Sequence, residues 1–215
     1  MAQQQRATET KESLINAAVA VFGRQGYRAT TLRDITRKAA VTQGAFYFHF
    51  DSKHEVAEEI IRRQHALSSA VGASLLASSE SGLTSIVRLS GQLAMQILTE
   101  PVVRAGLRLS TESADDLAGV AAAPYRDWIG ACRILLERAA AVGETRAGLD
   151  LDAAAELVIT SFTGAQFVSA ALSNSEDLLE RLERMWPVLL AGIVRDPAHP
   201  VVTSAGDLIG QPSAR

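Results

Sequence analysis

An all-α fold is predicted for this 215-residue chain by three observations. Apolar residues recur at three- and four-residue intervals along most of its length, which marks helices with one buried face. The strict alternation that would mark half-buried strands is absent. Hydrophobic residues make up 47% of the chain, enough to build a core. The pattern divides into about nine helices without internal repeat. It predicts a three-helix head over residues 1–50, a helical body over 51–195, and a flexible tail over 196–215, where Pro, Gly and Ser interrupt the periodicity.

The first helix is expected over about Thr8–Arg24, with Leu14, Ala17, Ala18, Val21 and Phe22 on its inner face. Gly23 and Gly26 should end it. Ahead of it, Gln3–Arg6 reads as a short polar arm, disordered or lying along a partner. The second helix begins at Thr30-Thr31, either of which can cap free backbone donors. Leu32, Ile35 and Ala39 face inward, while Arg33, Arg37 and Lys38 face outward. Such a hydroxyl-bearing N-terminus suits a phosphate. After a break at Ala40-Val41, a third helix starts at Thr42 and ends near Phe48. Helices this short do not survive alone, and Phe48 and Phe50 are the candidates for the packing that holds it.

From Ser52 a fourth helix can run to about Ala77, roughly 26 residues or ~39 Å, with Val56, Ala57, Ile60, Ile61 and Gln64 inward. A fifth is expected over Gly82–Thr99, and a sixth opens at Pro101, where a missing N–H costs nothing. Residues 112–123 read as a loop. The seventh runs from Pro124 to Val142, the eighth from about Asp150 to Leu172, and the ninth follows a Ser173-Asn174-Ser175 cap, with Pro187 expected to bend it.

Charge is unevenly spread. Residues 1–54 hold eight Lys/Arg against four acids, a net of +4, whereas the rest hold thirteen against twenty, a net of −7. A basic head on an acidic body suits a protein whose first quarter meets phosphates. The one cysteine, Cys132, cannot form an intrachain disulfide and fits a reducing cytoplasm. Apolar runs such as Trp186–Val194 fall short of a bilayer span, so no membrane partner is expected. His49, His54, His65 and His199 show no zinc-ligand spacing with Cys132. No nucleophile–base set, glycine-rich phosphate loop or carboxylate pair stands out. The chain is therefore expected to be neither an enzyme nor a cofactor or metal carrier.

The informative stretch is Thr42-Gln-Gly-Ala-Phe-Tyr-Phe-His-Phe50, closed by Asp51-Ser-Lys53. A generic three-helix head explains its apolar residues but not a tyrosine and a histidine set among phenylalanines. Gln43 and Tyr47 share a helical face beside Gly44, whose cost in a helix would be offset by close approach to a base edge or phosphate. These features point to the recognition helix of a helix-turn-helix that binds double-stranded DNA.

Here the sequence resembles the TetR family over about residues 9–55, through Thr30-Thr31-Leu-Arg-Asp-Ile and Ala40-Val41-Thr-Gln-Gly-Ala-Phe-Tyr47-Phe-His49-Phe50-Asp-Ser-Lys53. The resemblance implies a homodimer on a palindromic operator, with Thr31, Thr42, Tyr47 and Lys53 on backbone phosphates and Gln43, Gly44 and His49 facing the groove. The two recognition helices should then lie about 34–36 Å apart. Two departures stand out. Relatives prefer glycine at Ala40, so a turn that needs positive φ would be strained there by about 1 kcal/mol at most. The branch that this chain most resembles, the γ-butyrolactone receptors, usually has lysine at Gln43. Glutamine pairs with the adenine edge, so the operator should shift accordingly.

That branch is carried by Gly44-Ala-Phe-Tyr-Phe-His-Phe50, Pro101-Val-Val-Arg-Ala-Gly-Leu-Arg-Leu109, Pro124-Tyr-Arg-Asp-Trp128 and Ser161-Phe-Thr-Gly-Ala-Gln166-Phe-Val-Ser. It implies a small-molecule effector, a γ-butyrolactone or butenolide, that releases a repressor from DNA. Trp128 falls on the branch's pocket indole, and Gln64 and Ser161 on its polar positions; Tyr125 offers a further hydroxyl. By pattern alone Trp128 fits a core position as well, and a buried Gln64, Ser161 or Gln166 can be satisfied by a backbone carbonyl. An antibiotic or biosynthetic intermediate is the alternative effector. The eighth and ninth helices are apolar over a wide arc (Val158, Ile159, Phe162, Phe167, Val168 and Leu172 on the eighth), which predicts the homodimer contact there.

Overall fold

The computed structural model describes residues 2–112 and 117–210. Among these residues there are eleven helices and no strand: α1 (Ala2–Ala29), α2 (Leu32–Ala39), α3 (Gln43–Tyr47), α4 (Lys53–Ala77), α5 (Gly82–Thr99), α6 (Pro101–Glu112), α7 (Ala118–Ala141), α8 (Leu151–Ser173), α9 (Leu178–Ile193), α10 (Pro200–Thr203) and α11 (Ala205–Gly210). They fall into two compact units, one of residues 1–67 and 100–124, the other of residues 68–99 and 125–215. The division differs from the expected boundary at residue 50, because the three-helix head shares its core with the start of α4 and with α6.

In the first unit, Leu14, Phe22, Ile35, Phe46, Ile60 and Leu109 are fully buried in one cluster. α1 begins earlier than its apolar stripe. Gln5 bonds Glu9, and the Thr8 and Thr10 hydroxyls donate to the Gln4 and Arg6 carbonyls, so local bonds carry the helix through the expected arm. The helix passes Gly23 and breaks at Gly26, at φ 77° and ψ 174°. A side chain would be strained there, and a Cβ would sit 2.9 Å from the Glu112 carboxylate. Arg108 secures this end of α1 from α6, donating to the Gly23 carbonyl at 2.7 Å. Arg63 on α4 grips the middle of α1 through Glu12 with two bonds of 2.6 and 2.7 Å. This pairing holds the Glu12 carboxyl below its ordinary range.

In the second unit, Trp186 is buried and its Nε1 donates to Ser90 Oγ at 2.7 Å, which makes it a core residue. Arg138 caps the end of α4 by donating to the Ser78 carbonyl at 3.0 Å. Three expectations are corrected. α7 starts at Ala118, not Pro124, so the second half of the expected 112–123 loop is helical; residues 113–116 of that loop lie outside the described residues. Alanine-rich sequence favours helix enough to carry a proline near the helix start. Asn174, at φ 52°, terminates α8 and does not cap α9. The expected tail folds into α10 and α11 as far as Gly210, with Val201, Ala205 and Ile209 buried and α11 packed on α5 and α9. Three apolar anchors at four-residue spacing suffice for this, although the window was too short to read as a periodic helix.

α8 is also long and apolar enough, by length and composition alone, to cross a membrane. Ala154, Ala155, Val158 and Ile159 are buried, while Leu157, Phe167 and Leu172 are exposed, Leu172 by 73%. Val188 on α9 is 75% exposed.

Candidate nucleic-acid interface and effector residues

Two threonine caps set the α2–turn–α3 geometry. Thr31 forms a reciprocal box with Asp34: its hydroxyl accepts from the Asp34 amide at 3.2 Å, and its own amide donates to Asp34 Oδ2 at 3.0 Å. The Thr31 hydroxyl also donates to Asp34 Oδ2 at 2.6 Å. These bonds, with Arg37 at 2.9 Å, hold the Asp34 carboxyl below its ordinary range. The α2 N-terminus therefore already carries an anion, and Thr31 spends its proton on it. Thr42 caps α3 differently. Its hydroxyl accepts from the Ala45 amide at 3.1 Å, which leaves its proton for an outside acceptor.

Between the helices Ala40 takes the left-handed conformation, φ 55° and ψ 38°, with its N–H on the Thr36 and Arg37 carbonyls. The turn does need positive φ, so the strain foreseen at this non-glycine position is present.

α3 spans five residues, and its anchoring residue corrects the expected pair. Phe46 and Phe50 are the buried aromatics, 5.8 Å apart, whereas Phe48 is 77% exposed. A helix of 3.6 residues per turn places residues 46 and 50 on one side; residue 48 points away from both. Thr42, Gln43, Gly44, Tyr47 (57% exposed) and Phe48 form one continuous exposed strip, and Arg33, Arg37 and Lys38 are exposed on α2 beside it. His49 is half-buried, its ring edge-on to Phe48 at 4.9 Å. A Cβ on Gly44 would meet only Thr42 Oγ1, at 3.8 Å, so the fold itself does not require glycine there. Lys53 is half-buried: its ammonium donates to the Tyr27 and Thr30 carbonyls at 2.9 Å each and lies 4.1 Å from the Tyr27 ring centre. Its charge is committed to the α1–α2 junction, and a phosphate would share it with those carbonyls.

Of the effector candidates, Tyr125 and Trp128 come together on α7 as an edge-to-face pair, 5.2 Å between centres and 77° between planes. Both are half-buried, and burial raises the Tyr125 phenol above its ordinary pKa. Ser161 opens onto a shallow groove between α8 and α9 with Gly164, Val168, Arg181, Arg184 and Met185, a set that includes neither Trp128 nor Tyr125. Gln64 belongs to the first unit, buried on α4, where its Cβ lies so close to α6 that a methyl on Gly106 would fall 2.5 Å from it. Sequence reasoning missed Phe48 as an exposed residue and Asp34 as the anion on α2. The second was legible, since Thr31 and Asp34 stand at capping-box spacing.

Residues 14–60 match the model of the bacterial regulatory proteins of the tetR family, and residues 80–195 match that of the tetracyclin repressor-like C-terminal domain. The A-factor receptor protein of Streptomyces griseus is 38% identical over 202 residues, which cover 94% of this chain and 68% of that protein. A crystal structure of a gamma-butyrolactone receptor (ArpA-like protein) superposes with a TM-score of 0.79 at 32% identity, covering 95% of this chain and 98% of the other. CprB from Streptomyces coelicolor, in complex with its biological operator sequence, superposes at 0.77 with 31% identity over 94% of this chain and 98% of the other. Matched along both halves and carrying a capped helix-turn-helix with an exposed polar face, this chain belongs to the TetR family of DNA-binding bacterial transcription regulators.

Proposed function

We propose that the chain is a cytoplasmic repressor that binds a palindromic operator as a homodimer and is released by a small γ-butyrolactone or butenolide. The observation that carries this reading is the near full-length similarity to receptors of that class, joined to the exposed strip of Thr42, Gln43, Gly44 and Tyr47 along α3. Thr42, Tyr47 and Lys53 meet phosphates, as does Thr31 once its hydroxyl turns from Asp34; Gln43, Gly44 and His49 face the major groove, with Gln43 favouring adenine. Two chains associate through α8 and α9, whose outer faces expose Leu157, Phe167, Val168, Leu172 and Val188.

The effector stacks on Trp128 with Tyr125, which the second unit holds together as an edge-to-face pair. An indole stacks on a small lactone ring while burying a large apolar area. To empty the operator, the ligand must bind the DNA-incompetent state about 10²- to 10⁴-fold better than the bound one. Trp186 is sealed in the core, so a Trp186→Phe protein leaves Trp128 as the sole indole reporter. Titration of that protein with a γ-butyrolactone is expected to shift its emission and, in parallel, to dissociate operator DNA. A Trp128→Ala protein that still releases DNA with unchanged ligand sensitivity would remove the pocket assignment.

A further inference from the structure

We infer that Phe48 reads a thymine 5-methyl group in the operator half-site. The inference rests on the DNA-binding reading above and adds a base contact of apolar chemistry to it. Phe48 is the most exposed of the large apolar side chains in the chain's described residues, at 77%, yet it sits between two phenylalanines that do the packing. Exposing a phenyl ring forgoes the stabilisation that burial would bring, and the core gives no reason for it. Its amide donates to the Gly44 carbonyl at 3.1 Å, which places it one turn beyond Gly44 on the same face. Gly44 leaves open space beside that turn, and Gln43 and Tyr47 flank it. The His49 ring lies edge-on to the phenyl at 4.9 Å and 88°.

The occupant follows from what a major groove offers. Its walls are donors, acceptors and one apolar group, the thymine methyl, and phenylalanine contacts that group. A lone ring within a polar strip fits a single methyl better than an extended apolar partner. It also suits an A·T pair in which Gln43 takes the adenine edge. The sugar of the same strand is the other apolar surface within a groove, and the test separates the two.

The probe is an operator recovered from randomised palindromes by selection with the full chain. Each thymine of one half-site is replaced in turn by 2′-deoxyuridine, symmetrically, which deletes the methyl and keeps the pairing. Binding is followed by fluorescence anisotropy. One position is expected to weaken wild-type binding about fifteen-fold, on the scale of two buried methyls, one in each half-site. Phe48→Ala should weaken binding to the parent operator by a similar factor and become indifferent to deoxyuridine at that position alone. Its salt slope should match that of the wild type, since no phosphate contact is lost. Equal loss by Phe48→Ala on thymine and deoxyuridine duplexes would overturn the inference in favour of a sugar contact. Wild-type indifference to every substitution would overturn it without any protein variant. Failure of the wild type to bind any palindrome would instead defeat the DNA-binding reading itself.

Discussion

Replacing Gly44 with alanine should move stability and DNA binding in opposite directions. Within the protein the added methyl meets a single atom, Thr42 Oγ1 at 3.8 Å, an ordinary contact. Glycine in a helix costs about 0.5–1 kcal/mol relative to alanine. Gly44 lies in the first turn of α3, directly after the Thr42 cap and Gln43, so that figure is an upper bound. The variant should therefore melt at the same temperature as the wild type or up to a few degrees higher. In the proposed operator complex the same methyl would occupy the space into which DNA comes close. An extra carbon in a packed contact costs about 1–3 kcal/mol, or roughly 5- to 150-fold in affinity. Thermal unfolding followed by circular dichroism gives the first quantity, and anisotropy titration at fixed salt gives the second. A Gly44→Ala protein that binds as tightly as the wild type would refute the close-approach argument. One that unfolds several degrees lower would show that the fold needs this glycine after all.

Ala40→Gly should stabilise the head by about 0.5–1 kcal/mol, because Ala40 holds φ 55° and glycine adopts that region without a Cβ penalty; a chemical-denaturation series checks it, and an unchanged midpoint would contradict it. Cys132 is buried and its thiol is pushed up to about 12, so it should stay unreactive to a disulfide reagent at pH 8 until the chain unfolds. The sign for stability follows. The folded state keeps a proton that the unfolded thiol loses near its usual pKa, so this contribution falls as pH rises from about 9 towards 12. A Cys132→Ala protein should show a shallower decline over that window.

Much of the fold was legible because amphipathic periodicity and caps are local. Leu14, Ile35, Val56 and Ile60 announce their burial through spacing, and Thr31 and Thr42 announce their caps through position. Where tertiary contacts decide, the sequence was less informative. Phe46, Phe48 and Phe50 are chemically alike, and only the phase of a five-residue helix sorts two inward and one outward. The C-terminal segment reads as a tail because α10 and α11 together bury only three apolar side chains, too few to show a period. The compact units divide differently from the boundary at residue 50 for a related reason: the contact of Arg108 with Gly23 and that of Arg63 with Glu12 join residues far apart in sequence. Among the candidate site residues, the α3 strip could be anticipated from polarity out of place among aromatics. Lys53 is named by the family resemblance, but its hold on the Tyr27 and Thr30 carbonyls was not legible, because those partners lie more than twenty residues away.

In the proposed mechanism the head grips operator phosphates and a γ-butyrolactone loosens that grip. The measurement that meets it most directly is the operator dissociation constant of the full chain across a salt series, with and without a γ-butyrolactone. The expected result is a linear fall of log affinity with log salt, whose slope reports several displaced counterions. Saturating lactone should add a further loss of about 10²-fold or more. Salt-insensitive binding, or binding that no lactone disturbs while the Trp128 emission stays unchanged, would contradict the account.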